Sequence, residues 1–199
     1  MKTSLIIAML VLTATTVQAT PLMLGYSAFY KHMAKVEKAK VEQAELGFYL
    51  SRTDGEGVCT IESGTVRVDD MPRGQVVVLP HGQFVLPYDK QLDLDKAVVE
   101  LEVDHPEQCD IAVQIQANLA AGETSMAQLR LVQHEMHTLL QKMAGWPGKY
   151  FVPELKGVQL RPAEPGQQLN GAEQLKLSGA ELAGERTLSL PAVRITPWF

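Results

Sequence analysis

The chain has 199 residues, of which 46% are hydrophobic and 21% charged, and its formal net charge at pH 7 is −5. Chains with this many hydrophobic residues fold rather than stay disordered, and an acidic chain is a poor general binder of nucleic acid, whose phosphates attract basic surfaces. The length is typical of one domain that buries a core of its own.

The first residues have the pattern of a secretory signal peptide. Lys2 precedes a short apolar run over residues 5–12, and a small residue, Ala19, ends the segment. The run is shorter than the roughly 20 apolar residues that a membrane-spanning helix needs. We therefore predict a signal peptide over residues 1–19, a single exported domain over 20–199, a periplasmic or secreted location, and no transmembrane segment after cleavage.

Hydrophobic periodicity predicts amphipathic helices over residues 24–40 and 125–144. In both segments apolar residues recur every three or four positions, which places them on one helical face. The second helix also has a capping box formed by Ser125 and Gln128, and Gly145 suits its C-terminal end.

Several lysines lie on the other faces of the first helix. They are Lys31, Lys35, Lys38 and Lys40. They form either a solvated helix face, which is the simpler interpretation, or a basic patch for an acidic lipid headgroup or a polysaccharide.

Alternation of apolar and polar residues predicts a mostly antiparallel sheet structure. Turns are expected at Ser63-Gly64, at Pro80-His81-Gly82 and at Asn170-Gly171, the strongest hairpin dipeptide in the chain. The fold class is therefore α+β, mostly antiparallel β and sandwich-like, with the two helices packed on the sheet. The predicted strands cover residues 44–52, 58–62, 65–68, 74–79, 83–86, 97–103 and 109–115, with shorter ones near 150–152, 157–160, 167–169, 173–177 and 188–195.

The chain has two cysteines, Cys59 and Cys109. In an exported protein such a pair is most simply a disulfide, because two isolated cysteines make a poor zinc site. Side chains two residues apart on a strand point to the same face, so Cys59 shares a face with Ile61, and Cys109 shares one with Ile111 and Val113. We therefore expect both sulfurs to face the core and to tie two strands or two sheets together.

Two groups of side chains are candidates for a metal site. His134 and His137 lie one turn apart on the second helix, but they lack the four-residue spacing of a zincin motif and are more simply surface histidines. Asp93 and Asp95 share a face if their segment is a strand, and with Asp89 they form either a weak calcium site or a solvated acidic loop.

The polar segment from His81 to Asp95, which includes Tyr88, lies between the two cysteines and is the first place to look for a site. The sequence has no Walker loop, no GxGxxG motif and no Gly-x-Ser-x-Gly context. The sequence therefore predicts no cofactor, and we assign no catalytic, cofactor-binding or metal-ligating residue from it.

The leading hypothesis is a non-enzymatic periplasmic module that binds a protein or an envelope component. This hypothesis depends on a group of aromatic residues. If they are exposed together they form a binding face, and if they are buried they are part of the core. The residues are Tyr26, Phe29, Tyr30, Phe48 and Tyr49. The alternative is a hydrolase or metal-dependent enzyme, which requires His81, His134 or His137 to converge with Asp89, Asp93 or Glu135 in one pocket. An assembly factor whose residues 162–199 pair with a partner sheet is a third possibility.

Four short motifs resemble a family of exported γ-proteobacterial proteins that is classed as a domain of unknown function. The motifs are Tyr26-Ser27-x-Phe29-Tyr30-Lys31, Gly47-Phe48-Tyr49-Leu50, Leu86-Pro87-Tyr88-Asp89 and Met143-Ala144-Gly145-Trp146. The resemblance extends to about Gly157, and both cysteines fit it. It implies a bacterial periplasmic location and no particular activity.

Overall fold

The computed structural model describes residues 21–55 and 57–199. The predicted signal peptide lies outside these residues. In chain order the strands and helices are β1 (Leu22–Gly25), α1 (Tyr26–Ala39), β2 (Ala44–Arg52), β3 (Ile61–Val68), β4 (Met71–Gln75), β5 (Val77–Val78), β6 (Phe84–Val85), α2 (Lys90–Leu94), β7 (Val98–Val103), β8 (Cys109–Leu119), β9 (Gly122–Ser125), α3 (Met126–Gly148), β10 (Gly157–Pro162), β11 (Leu175–Ser178), α4 (Gly179–Leu182), β12 (Thr187–Leu190) and β13 (Val193–Trp198).

The strands form two main sheets and one small ribbon. The large sheet has seven strands in the order β11-β10-β13-β8-β2-β6-β5, and the small sheet has four in the order β1-β7-β3-β4. β9 and β12 pair separately. These pairings are antiparallel, and the predicted α+β class with mostly antiparallel strands is confirmed.

The longest pairing joins β2 to β8, from Ala44 opposite Ala117 to Arg52 opposite Cys109. One face of this ladder is apolar and is divided between two hydrophobic cores. Ala44 and Ala117 belong to the first core, whereas Phe48 and Leu50 belong to the second. The β2–β8 ladder is therefore shared by both cores.

The first core lies between α3 and the large sheet. The Ser125 hydroxyl caps α3 by accepting a hydrogen bond from the Gln128 backbone at 3.2 Å. The regular helix ends where Gly145 adopts a φ of 64°, as its sequence position indicates. The helix side chains buried in this core include Leu129, Val132, Met136 and Leu139, and burying each one contributes about 1.5–3 kcal/mol.

The second core lies between α1, the small sheet and the ladder. The Phe29 ring packs edge-on against Phe48 and Phe84, with centroid separations of 5.1 and 5.6 Å. Tyr26, Phe29, Phe48 and Tyr49 are all buried. Most of the aromatic group that could have been a binding face is therefore interior.

The predicted turn at Ser63-Gly64 is wrong, because both residues lie within β3. A Cβ added to Gly64 would come within 2.6 Å of Leu101 Cδ2, so this glycine allows close packing of the sheet. The chain reverses instead at Asp69 and Asp70, whose φ angles are 45° and 62°. Two successive left-handed residues are typical of a tight hairpin turn.

The C-terminal strands also differ from the prediction. Pro191 separates β12 from β13, and the two strands join different sheets. Asn170-Gly171 does form a tight turn, but its arms share only the bridge between Leu169 and Ala172. Most of the second arm instead pairs with β10, as β11.

The Cys59–Cys109 disulfide is confirmed, with the two Cα atoms 6.2 Å apart. Cys59 is buried and Cys109 is partly buried. Ile111 and Val113, which the alternation predicts to face the core with Cys109, are 46% and 40% exposed, so the prediction is wrong at these two positions. Within the described residues, β13 pairs with β8 from Ala117 to Leu119, so the N-terminal half of β8 is an edge that is poorly covered.

The disulfide closes a loop with a sequence separation of 50 residues. We expect the C59A/C109A variant to lose about 4 kcal/mol of unfolding free energy, because an open loop gives the unfolded chain more conformational entropy. Urea unfolding with and without reductant measures this loss. Reductant should destabilise the wild type to the level of the variant and leave the variant unchanged. Equal stability of the oxidised wild type and the variant would contradict the expectation.

Candidate functional site

The face of the large sheet opposite α3 carries a group of polar side chains. Because side chains alternate along a strand, the residues between the core positions of β2, β8, β10 and β13 all reach this face. The loop between β5 and β6 adds two more. We call this group the polar face: Glu45, Tyr49, His81, Gln83, Gln116, Asn118, Arg161 and Arg194.

The centre of the polar face is a buried hydrogen-bond network. The Tyr49 hydroxyl donates to Gln116 Oε1 at 2.6 Å, and Gln116 Nε2 donates to Gln83 Oε1 at 2.8 Å and to Glu45 Oε1 at 3.0 Å. Gln116 is fully buried, and Tyr49 and Gln83 are 3% and 5% exposed. Buried amides that satisfy one another in this way hold their neighbours in fixed positions.

Gly47 makes room for this network. A Cβ at this position would lie 2.6 Å from Gln116 Oε1 and 2.7 Å from Tyr49 Cε2. The glutamine amide and the tyrosine ring therefore meet directly above a backbone position that has no side chain.

Arg194 extends the network toward solvent. Its Nη1 donates to the Tyr49 hydroxyl at 2.7 Å, and its guanidinium lies 5.3 Å from the centroid of the Tyr49 ring. Burial raises the pKa of Tyr49 above its usual value, although the hydrogen bond and the charge of Arg194 act in the opposite direction. Tyr49 therefore stays neutral and can donate to Gln116.

Arg194 and Arg161 lie directly opposite each other on neighbouring strands. Among residues 21–55 and 57–199, no carboxylate forms an ion pair with either guanidinium. The buried Nε of Arg194 also lacks a hydrogen-bond partner within this part of the chain. Arg161 is held by neutral groups, because its Nη2 donates to Gln174 Oε1 at 3.2 Å.

Two cavities adjoin the polar face, and Glu164 lines both. The first, about 230 Å³, is lined by Arg161, Arg194, Gln167 and Glu173 among others. The second, about 350 Å³, lies beside His81 and Asn118 and is otherwise mostly apolar. The loop that contains Glu164 forms a wall between them.

Two residues of the predicted polar segment, His81 and Gln83, belong to the polar face. His81 Nε2 lies 3.0 Å from Gln83 Oε1, and the His81 ring is 6.1 Å from that of Tyr49. The sequence predicts a candidate at His81 but gives no indication of these partners.

The rest of the segment has structural contacts. Tyr88 is half exposed and stacks on Tyr30 at 5.2 Å. The Asp89 side chain caps α2 by accepting a hydrogen bond from the Gln91 backbone at 2.7 Å. The predicted strand face for Asp93 and Asp95 is wrong, because Asp93 lies within α2 and Asp95 caps its C-terminal end.

His134 and His137 line a separate cavity on α3, about 330 Å³ in volume. Glu135 points elsewhere, since its Oε2 accepts hydrogen bonds from the backbone of residues 42–44. The acid that lines this cavity with the two histidines is Glu154 rather than Glu135. In the described part of the chain, no three His, Cys, Asp or Glu side chains are grouped closely enough to hold a metal ion.

Most of the polar face was missed in the sequence. The alternation of Glu45, Gly47 and Tyr49 with apolar residues did indicate that β2 has a second face. Gln83, Gln116 and Arg194 gave no comparable signal, because isolated glutamines and arginines normally lie in solvent. Only the pairing of distant strands brings them together.

Comparison with known families matches residues 18–161 to the family described as a protein of unknown function (DUF2987). The chain belongs to the DUF2987 family. The expected resemblance to a family of unknown function is thereby confirmed, while the exported γ-proteobacterial origin stays a prediction. Within this DUF2987 chain, Arg161 is the last matched residue, and Arg194 lies outside the match.

No curated protein and no solved structure was found to match the chain. None of the helices in residues 21–55 and 57–199 combines the length and apolarity that a membrane span needs.

Replacing Gly47 by Ala should disturb the network, because the new methyl group would overlap with buried atoms of Gln116 and Tyr49. We expect G47A to lose about 1–3 kcal/mol of unfolding free energy, as is typical of overpacking. Gly74 provides a matched control, since it also lies in a strand and its nearest atom would be Pro87 Cγ at 3.8 Å. Equal urea midpoints for G47A and G74A would refute the packing argument.

Proposed function

We propose that this protein is a non-enzymatic binding module whose polar face holds a small organic ligand through a carboxylate group. The observation that carries the proposal is the pair of Arg194 and Arg161. They face each other across two strands, no acid pairs with them among the described residues, and Arg194 retains a buried, unsatisfied Nε.

Placing the two arginines opposite each other, with one donor unsatisfied, costs free energy that a bound anion would remove. Like charges directly opposite each other destabilise a sheet, and a buried donor without a partner costs about 1–3 kcal/mol. A carboxylate matches the planar fork of a guanidinium and can accept two parallel hydrogen bonds from it. Ligand binding would therefore satisfy both the charge and the orphan donor.

The network beneath Arg194 supports this role. Tyr49 is fixed by Gln116, which is fixed in turn by Gln83 and Glu45. The Arg194 guanidinium is hydrogen-bonded to this fixed tyrosine. A pre-positioned guanidinium loses less conformational freedom on binding, and this favours affinity.

The cavity walls limit the class of ligand. Glu164 and Glu173 line the same cavity as the two arginines, so the formal charges of these four side chains cancel. A neutral cavity with separated charges suits a zwitterion better than a dianion. We therefore expect an amino acid or a similar molecule to bind better than a simple carboxylate.

The proposal can be tested by following the arginine Nε–H resonances by NMR during titration with glycine, glutamate, acetate, succinate and inorganic phosphate. We expect the Arg194 resonance to shift with the amino acids first. R194Q should weaken binding about tenfold or more, since a charged hydrogen bond contributes about 1.5–3 kcal/mol. R194K tests whether the planar guanidinium is needed, because lysine keeps the positive charge but cannot donate two parallel hydrogen bonds to a carboxylate.

R186Q is the matched control, since Arg186 is exposed and lies near Glu181, away from the polar face. Its affinities should equal those of the wild type. If no compound in the panel moves the Arg194 resonance at millimolar concentration, or if R194Q binds as tightly as R186Q, the proposal fails.

We further propose that the protein is exported to the periplasm or secreted. The disulfide supports this, because such bonds persist mainly in oxidising compartments. N-terminal mass analysis of protein purified from an exporting host should find Thr20 as the first residue. A chain from the same fraction that still begins at Met1 would contradict cleavage.

A further inference from the structure

The segment after the regular part of α3 carries an exposed aromatic cluster. Trp146, Tyr150 and Phe151 are 81%, 70% and 81% exposed, whereas the next most exposed aromatic side chain in the described residues, Tyr88, is at 50%. We call these three residues the aromatic tip. Scattered surface hydrophobics are common, but three highly exposed aromatic side chains within six residues of one segment favour a contact site.

The backbone presents these side chains at the end of a rigid element. Gly145 has a left-handed conformation and Trp146 is extended, so the chain leaves the helix axis at this point. Residues Lys149–Phe151 then form a single 3₁₀ turn. The aromatic tip therefore projects from the end of α3 and does not fold back on it.

The surroundings of the aromatic tip are basic, although the whole chain has a net charge of −5. Lys142 and Lys149 flank it, and the sequence has no acid between Glu135 and Glu154. The Lys149 ammonium lies 4.8 Å from the centroid of the Tyr150 ring. Positive charge is thus mixed with the exposed aromatic surface.

Helix α1 adds lysines beside the tip. Lys35 Nζ donates a hydrogen bond to the Met143 carbonyl at 3.2 Å, which brings this face of α1 to the end of α3. Lys31 and Lys38 line the same cavity as Lys35, and among the described residues that line it Asp93 is the one acid. The basic side chains of two helices therefore face one region of the surface.

We propose that the aromatic tip docks on the surface of a bilayer that contains anionic phospholipid. Trp146 and Tyr150 would occupy the interfacial zone, where aromatic side chains with a polar edge are favoured, and Phe151 would insert beside them as an apolar ring. The lysines would contact lipid phosphates, and each basic residue near an anionic surface adds to the attraction. The α1 lysines would then form the basic patch for an acidic lipid headgroup, which is the alternative to a solvated helix face.

A membrane surface suits the tip better than a protein partner does. Three aromatic side chains bury about 450–750 Å² when fully covered, which is less than the roughly 800 Å² per partner of a stable protein interface. Lysine is also depleted at protein interfaces. Mixed lysine and aromatic residues are instead typical of segments that lie in the lipid headgroup region.

Tryptophan fluorescence and vesicle flotation test the proposal. The chain has two tryptophans, and Trp198 is covered by Lys176, so the W198F variant leaves Trp146 as the reporter. With vesicles of phosphatidylcholine containing about 30% phosphatidylglycerol, we expect its emission to shift to shorter wavelength. Binding should be about tenfold weaker on pure phosphatidylcholine, and also when salt is raised from about 0.05 to 0.5 M.

The triple variant W146A/Y150A/F151A should lose flotation with the anionic vesicles, and K142A/K149A should bind at least about fivefold more weakly. M71A/V77A/I111A is the matched control, because it removes three exposed apolar side chains from other elements. It should float like the wild type. All variants should melt within a few degrees of the wild type, because the altered residues are exposed.

Equal flotation of the triple variant and the wild type would overturn the proposal. So would equal, salt-independent binding to both kinds of vesicle. A concentration-dependent dimer in light scattering that disappears in the triple variant would instead identify the tip as a contact between copies of this chain. None of these outcomes bears on the polar face, so the two proposals stand or fail separately.

Discussion

The antiparallel ladder between β2 and β8 is the constraint on which the rest of the structure depends. It runs from Ala44 opposite Ala117 to Arg52 opposite Cys109. Its apolar face supplies both cores, and its polar face carries Tyr49 and Gln116. A register shift of one residue would exchange these faces, burying the polar residues in the cores and exposing the apolar ones. Both stability and the candidate site therefore rest on one pairing.

The chain's covalent loop corresponds closely to one of the two cores. Residues between Cys59 and Cys109 provide β3, β4 and β7 of the small sheet, whereas α3 and the C-terminal strands of the first core lie outside the loop. A disulfide that encloses most of one core reduces the entropy of that part of the unfolded chain. Glu135 joins the other core to the ladder by accepting three backbone hydrogen bonds at the start of β2.

Local patterns were sufficient to predict the fold class, the two long helices, the β7 strand and the disulfide, because periodicity and caps depend on neighbouring residues. They failed where a distant contact decides the outcome. Ser63-Gly64 is a dipeptide typical of turns, yet Gly64 lies in β3 because Leu101 and Val76 pack against it. The site shows the same limit. The sequence predicted His81 as a candidate, whereas Gln116 reaches Gln83 and Tyr49, and Arg194 reaches Tyr49, from distant segments of the chain.

The polar network also connects separate parts of the chain. Gln83 and His81 belong to the disulfide-closed loop, Gln116 belongs to the ladder, and Arg194 belongs to the C-terminal strand. The network therefore clamps three parts of the molecule that no single core holds together. A bound group that immobilised Arg194 would strengthen this connection. It would lower the fluctuations of all three parts together, even without any change in the average structure.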